Sequence, residues 1–237
     1  MSEASQIITE SKNIYLIPSK SPEAISSALA LFYTLKESGK NVNLVLDNLP
    51  ENLKFLSPSL DFISYPKNFV ISIPNKIACV SQIYYEKNDE ALKIFLTLEK
   101  GNIKKDHISF YFSETKPDLI ITIGVKDYSE ELKENLNSFG FLLDSPILNI
   151  DNSKDNKNFG KINLIEGKSL VEIISGLAEN KSKESAECLL TGLIIYTKNF
   201  RENVTAEIFE IAGGLMKKGI DLSEITKNVS QPASKNI

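Results

Sequence analysis

The sequence contains no tryptophan, one arginine (Arg201), one histidine (His107) and two cysteines (Cys79 and Cys188). Each scarcity closes off a class of chemistry. With a single guanidinium, the bidentate clamps that proteins place on phosphate or carboxylate are almost out of reach. With a single imidazole, in Lys104-Lys-Asp-His107, there is no histidine pair for a metal site, and His107 reads as a solvated turn or strand position without a catalytic role. The cysteines are far apart and lack CxxC spacing, which excludes a zinc knuckle, and both read as buried thiols. No run approaches the roughly 18 to 20 apolar residues of a membrane helix, and Met1 to Glu10 lacks the basic and apolar sections of a signal peptide. A cytoplasmic protein with no membrane association is expected. Acids outnumber bases, 31 to 27, for a net charge of −4. That balance carries no strong nucleic-acid signal, because polyanion binders present a basic face.

What is present is a core-forming chain: 237 residues, 42% of them hydrophobic, enough for one large domain. Asn13 to Ile17 reads as a buried strand, Pro22 to Ser38 as a helix capped by Ser21 and stopped by Gly39, and Val42 to Leu46 as a second strand. That order is a βαβ unit and predicts a parallel sheet. Asn68 to Ile73 reads as a further strand of it. Alternation in Lys76 to Tyr85 and Leu92 to Leu98 predicts an inserted antiparallel hairpin over about 76–112. The sheet resumes with Asp118 to Gly124 and Pro146 to Ile150, around a helix over Ser129 to Ser138. Helices over Ser169 to Glu179, Ser185 to Thr197, Thr205 to Lys218 and Leu222 to Val229 form a closing section, and 230–237 reads as a flexible tail. The expected fold class is α/β: one doubly wound domain over 1–229, with a mainly parallel sheet, the inserted hairpin and a helical C-terminal section over 169–229. Gly213-Gly214 lies inside a helical pattern and lacks a P-loop ending, so it reads as a close helix contact.

In such a sheet, ligands bind outside the carboxyl ends of the strands, which directs attention to the loops after Ile17, Leu46, Ile73, Ile123 and Ile150. The last, Asp151-Asn-Ser-Lys-Asp155-Asn156, is the one rich in oxygen ligands, and read by itself it is also a plain Asx-rich turn. Lys116, Lys126 and Lys154 lie near strand ends and could attract a phosphorylated ligand.

At these loops the sequence resembles the DHH phosphoesterase superfamily, which includes nano-RNases, pAp phosphatases and RecJ-type exonucleases, from about Asn13 to Val229. The resemblance rests on the small-residue helix start Ser26-Ser-Ala-Leu-Ala-Leu31, the strand Leu119 to Ile123, and Asp151 leading to Asn156, Phe159-Gly160 and Ile162-Asn163-Leu164. Leu189-Leu-Thr-Gly192, through Tyr196-Thr197 to Phe200, adds a helix of the family type. Carried over position by position, Ile17 stands where the family has a histidine, Ser21 and Glu23 where it has two aspartates, and Gly124 where a strand ends in a metal-binding aspartate. Asp127 is near that position but displaced. Asp151-Asn152-Ser153 stands in place of Asp-His-His, and Tyr196 in place of the last metal aspartate, where it is expected to fill the space.

The resemblance implies a kept frame with a degenerate metal site. Family members usually hold Mn²⁺ or Mg²⁺ through carboxylates and imidazoles. Here no cofactor and no metal are expected, Asp151 and Asp127 being the side chains that remain to contact one. No glycine-rich segment of the DHH-associated domain that usually follows is legible. The expected function is therefore that of a binding or scaffold protein with a nucleotide or protein partner. Two alternatives stay open. One is an active, Mn- or Mg-dependent phosphoesterase on short oligonucleotides or pAp, drawing on Glu23, Asp127, Asp151 and Asp155. The other is a structural subunit that forms a homodimer or larger assembly through the edge of the inserted hairpin.

Overall fold

The computed structural model describes residues 2–46, 49–57, 67–114, 116–131, 145–177 and 182–230. The chain divides into two compact units, one of Met1–Tyr65 with Lys116–Ile237 and one of Pro66–Thr115. Among the described residues, no helix is long and apolar enough to cross a membrane.

The larger unit is built on a five-stranded, all-parallel sheet of β1 (Asn13–Pro18), β2 (Asn41–Leu44), β7 (Leu119–Ile123), β8 (Ile147–Asp151) and β9 (Ile162–Ile165), in the order β2-β1-β7-β8-β9. Both faces are covered, so the strands read as continuous apolar runs rather than alternating ones. The period of two still sorts their side chains. Ile14 and Leu16, with Leu119, Ile121, Ile123, Leu148 and Ile150, enter the main core; Tyr15, Ile17, Ile120 and Ile147 enter a smaller cluster on the other face. β9 is a strand that sequence reading did not separate from its motif. At the amino ends of the strands, Asp118 Oδ2 accepts the backbone N–H groups of Lys12 (3.0 Å) and Asn13 (2.9 Å), tying the start of β7 to that of β1.

The main core lies under α2 (Pro22–Glu37), α4 (Leu170–Leu177) and α5 (Lys183–Tyr196), with α6 (Ala206–Met216) and α7 (Leu222–Val229) closing over them. A shorter α1 (Glu3–Glu10), capped by Ser2, presents Ala4 and Ile8 to the same core in a stretch for which no helix was expected. Ser21 caps α2 as expected, its hydroxyl accepting the N–H of Ala24 at 3.2 Å, an arrangement that contributes about 1 kcal/mol. From Ala24 to Leu35 every residue of α2 is buried, serines included. Small side chains allow this close approach: Ser185 Oγ donates to Ala30 O (3.0 Å) and lies 2.8 Å from Thr34 Oγ1. Gly192 on α5 sits where a Cβ would stand 2.5 Å from Val171 Cγ2 and 2.9 Å from Ser26 Oγ. Gly192→Ala is therefore expected to cost about 1 kcal/mol of stability in urea unfolding, its better helix propensity being outweighed by the crowding.

The smaller unit contains two antiparallel pairs. β4 (Ala78–Lys87) pairs with β5 (Leu92–Gly101), the expected hairpin, while β3 (Lys67–Ser72) pairs with β6 (Ser109–Glu114). β3 corrects the expectation that Asn68 to Ile73 joins the parallel sheet: its apolar run matches the strands of the larger unit, but its partner is Ser109–Glu114. Cys79 is likewise corrected. It lies exposed on a two-stranded ribbon, whereas Cys188 is buried in α5. Gly213 and Gly214 are exposed, with nothing within 4 Å of a built Cβ, so they mark no close contact. The expected helix beyond Glu131, its residues to Ser138, the end of the Ser169 to Glu179 helix and the tail from residue 231 lie outside the described residues.

Candidate functional site

The strand order places the reversal of winding between β1 and β7, since the chain passes from β1 to β2 on one side and returns to β7 on the other. A crevice opens outside the carboxyl ends of strands at such a point. Here it is a cleft of about 560 Å³ lined by Ser19, Lys20, Ser21 and Glu23 after β1, Gly124 and Lys126 after β7, Asp151 and Asn152 at the end of β8, and Leu170 at the start of α4.

Five of the nine expected positions meet in this cleft: Ser21, Glu23, Gly124, Asp151 and Asn152. Glu23, in the first turn of α2, accepts the N–H of Leu170 at 2.7 Å, so one carboxyl bridges the starts of two helices. Burial raises its pKa from 4.5 to about 7; the bond from Leu170 acts the other way, and the charges of Glu172 and Asp151 add to the rise. Leu170 is presented by a capping box, in which Ser169 N–H and Oγ donate to Glu172 Oε2 while Ser169 Oγ accepts the N–H of Glu172.

Gly124 has a left-handed backbone (φ 69°), and a Cβ there would lie 3.0 Å from Ser19 Oγ, 3.1 Å from Ala24 Cβ and 3.1 Å from Leu170 Cδ1. Conformation and space both favour glycine, so the position at which the resemblance puts an aspartate has closed around its absence. Asp151 is 1% exposed. Its Oδ1 accepts the N–H of Asn152 (2.8 Å) and its Oδ2 the side-chain amide of Asn156 (2.7 Å). Asn156 continues a buried network: it donates to Val125 O (2.9 Å) and accepts from Asn149 Nδ2 (2.8 Å), which in turn is joined to Thr122 and Asn163. Asp151, Asn156 and Asn163, read in the sequence as pieces of a catalytic motif, thus serve to lock β7, β8, β9 and the intervening loop together.

The other expected positions stand apart from the cleft lining. Ile17 is fully buried in β1 and faces the smaller apolar cluster. Asp127 turns its Oδ1 to the N–H (2.9 Å) and hydroxyl (2.7 Å) of Ser129 at the start of α3 (Tyr128–Glu131). Ser153 accepts the N–H of Asp155 within its loop. Tyr196 is half-buried at the end of α5 and packs against the main core; burial, with the charges of Glu23 and Glu172, pushes its hydroxyl pKa up. Of the three lysines, Lys126 lines the cleft, Lys154 is exposed in the loop after β8, and Lys116 precedes β7 at the opposite end of the strand. His107 Nδ1 accepts the N–H of Lys104 in a short turn of the smaller unit. Sequence reading passed over Ser19, Lys20 and Leu170. The signals were there: two residues following a strand end, and the capping box Ser169-Leu-Val-Glu172.

Among the described residues no group of three or more His, Cys, Asp or Glu side chains is placed to hold a metal ion. A pair of Mn²⁺ or Mg²⁺ ions, as the resemblance implies, needs several anionic oxygens. The cleft brings together one carboxylate whose two oxygens each accept a protein donor and one carboxyl that titrates near 7. That donor set does not fit a two-metal centre.

No protein-family profile and no curated protein matches the chain. Among solved structures, the crystal structure of an exopolyphosphatase-related protein from Bacteroides fragilis is similar to it, with a TM-score of 0.67 at 18% identity, over 99% of this chain and 62% of that one. The chain shares that protein's fold and spans about three fifths of its length.

Proposed function

We propose that this protein has the fold of a phosphoesterase and uses its cleft to bind a phosphorylated small molecule, such as a nucleotide, without hydrolysing it. The observation that carries the reading is the fate of the carboxyl groups at the strand ends. One position carries a left-handed glycine with close neighbours, one carboxyl is engaged in a buried network, and one, in the first turn of α2, has its pKa raised to about 7. Metal-assisted hydrolysis needs ionised carboxylates free to converge on cations. The remaining lining is suited to an anion: Lys20 and Lys126, the hydroxyls of Ser19 and Ser21, and the N-terminus of the 16-residue α2 at the mouth. The exopolyphosphatase-related relative supports the phosphoesterase-like part of this reading through the shared fold.

The test is titration calorimetry with Mn²⁺ and with pAp, paired with a hydrolysis assay on pAp and a dinucleotide. We expect no turnover, and pAp binding weakened about tenfold by Lys126→Ala through loss of one charge-assisted contact. Turnover that requires Mn²⁺ and is abolished by Asp151→Ala would replace this reading with an active phosphoesterase.

A further inference from the structure

The β4–β5 ribbon is ten residues long on each strand and is two-stranded among the described residues, so both outer edges carry unpaired backbone groups. One face is apolar through the middle of the ribbon. Register places Ile83 opposite Leu96 and Tyr85 opposite Ile94, with Leu92 opposite Lys87 at one end and a register irregularity at Val80 at the other. Ile83 and Tyr85 are each 71% exposed, Leu92 60% and Ile94 48%. A lone two-stranded ribbon is marginal in water, and contiguous exposed apolar side chains mark an interaction surface.

We propose that the occupant is a second copy of this chain, joined along the edge of β5 in an antiparallel pairing centred on Leu96. The edge of β5 is self-complementary in one register. A two-fold antiparallel pairing requires one residue to face its own copy, and each choice fixes the rest. Centring on Ile94 or Phe95 sets Lys93 against Phe95 or Thr97; centring on Thr97 or Leu98 sets Glu99 against Phe95 or Thr97. Centring on Leu96 sets Lys93 against Glu99 of the second copy, twice by symmetry, and Ile94 against its Leu98, with Leu96 meeting Leu96 on the axis. Opposite charges and apolar neighbours then fall opposite one another together. The product is a four-stranded antiparallel sheet, which passes the size at which a ribbon becomes stable in its own right. It also sheathes two edges that would otherwise template aggregation.

Light scattering on the full-length protein tests this. The wild type is expected at twice the 26.4 kDa of one chain. Lys93→Glu and Glu99→Lys, each alone, should run at the mass of one chain, because like charges then meet at both ends of the pairing. Mixing the two variants in equal amounts should restore the dimer, since each supplies the charge the other lacks, a recovery that general destabilisation of either variant would not produce. A wild type at single-chain mass overturns the proposal, as do single variants that remain dimeric.

Discussion

Asn156→Leu is expected to lower the unfolding free energy by about 4 kcal/mol, read as a fall in the urea midpoint at neutral pH. The size follows from what one amide holds. Asn156 makes four bonds, to Val125 O, to Asp151 Oδ2, from Asn149 Nδ2 and from the N–H of Asn158, all within 2.9 Å. Leucine keeps the volume and removes all four. Each buried polar group left without a partner costs roughly 1–3 kcal/mol, and more when it is charged. The charged one here is the carboxyl of Asp151, buried to 1% exposure. Asn163→Ala serves as the comparison: its side chain touches the same network through one 3.3 Å bond from Asn149 and otherwise closes a local turn with Gly160. It should lose about 1 kcal/mol. Equal losses for the two would mean that the network acts as a local turn rather than as the tie between β7, β8 and their loop.

That network also explains how far the site could be read from sequence. Four of the five strands of the parallel sheet, the cap at Ser21 and the helices α2 and α4 to α7 over the core were legible, because each has a local cause: a buried run, a side-chain acceptor before a helix, or an apolar period; β9 and α1 were not. The gathering of Ser21, Glu23, Gly124 and Asp151 at one sheet edge was legible from strand order together with the resemblance. What Asp151 does there was not, because an aspartate that binds metal and one that accepts an amide have the same sequence context. β3 was misplaced because an apolar strand does not name its partner. The turn after α5 was unreadable for a different reason. Lys198, Asn199 and Phe200 all adopt left-handed backbone (φ 47°, 60° and 58°) with no glycine among them. Bonds back to the last turn of α5 hold it: Asn199 N–H donates to Ile194 O at 2.8 Å and Phe200 N–H to Thr197 Oγ1 at 3.0 Å.

The second large effect is a pH dependence that belongs to Glu23. Its carboxyl titrates near 4.5 when unfolded and at about 7 when folded, so between those values the folded chain binds the extra proton. Stability contributed by this group is therefore fully present below about pH 4.5, drains away as the unfolded chain ionises, and is gone above about pH 7. A difference of that size corresponds to about 3 kcal/mol. Glu23→Gln keeps an oxygen for the N–H of Leu170 and cannot ionise. The variant should match the wild type in urea unfolding at pH 4.5 and exceed it by up to about 3 kcal/mol at pH 8. Two stability curves that stay parallel across this range would show that Glu23 is ionised in the folded cleft. The same proton bears on ligand binding, because a neutral Glu23 leaves Lys20 and Lys126 less opposed. Binding of pAp to the wild type should accordingly strengthen as pH falls through 7, and Glu23→Gln should hold the stronger binding at pH 8.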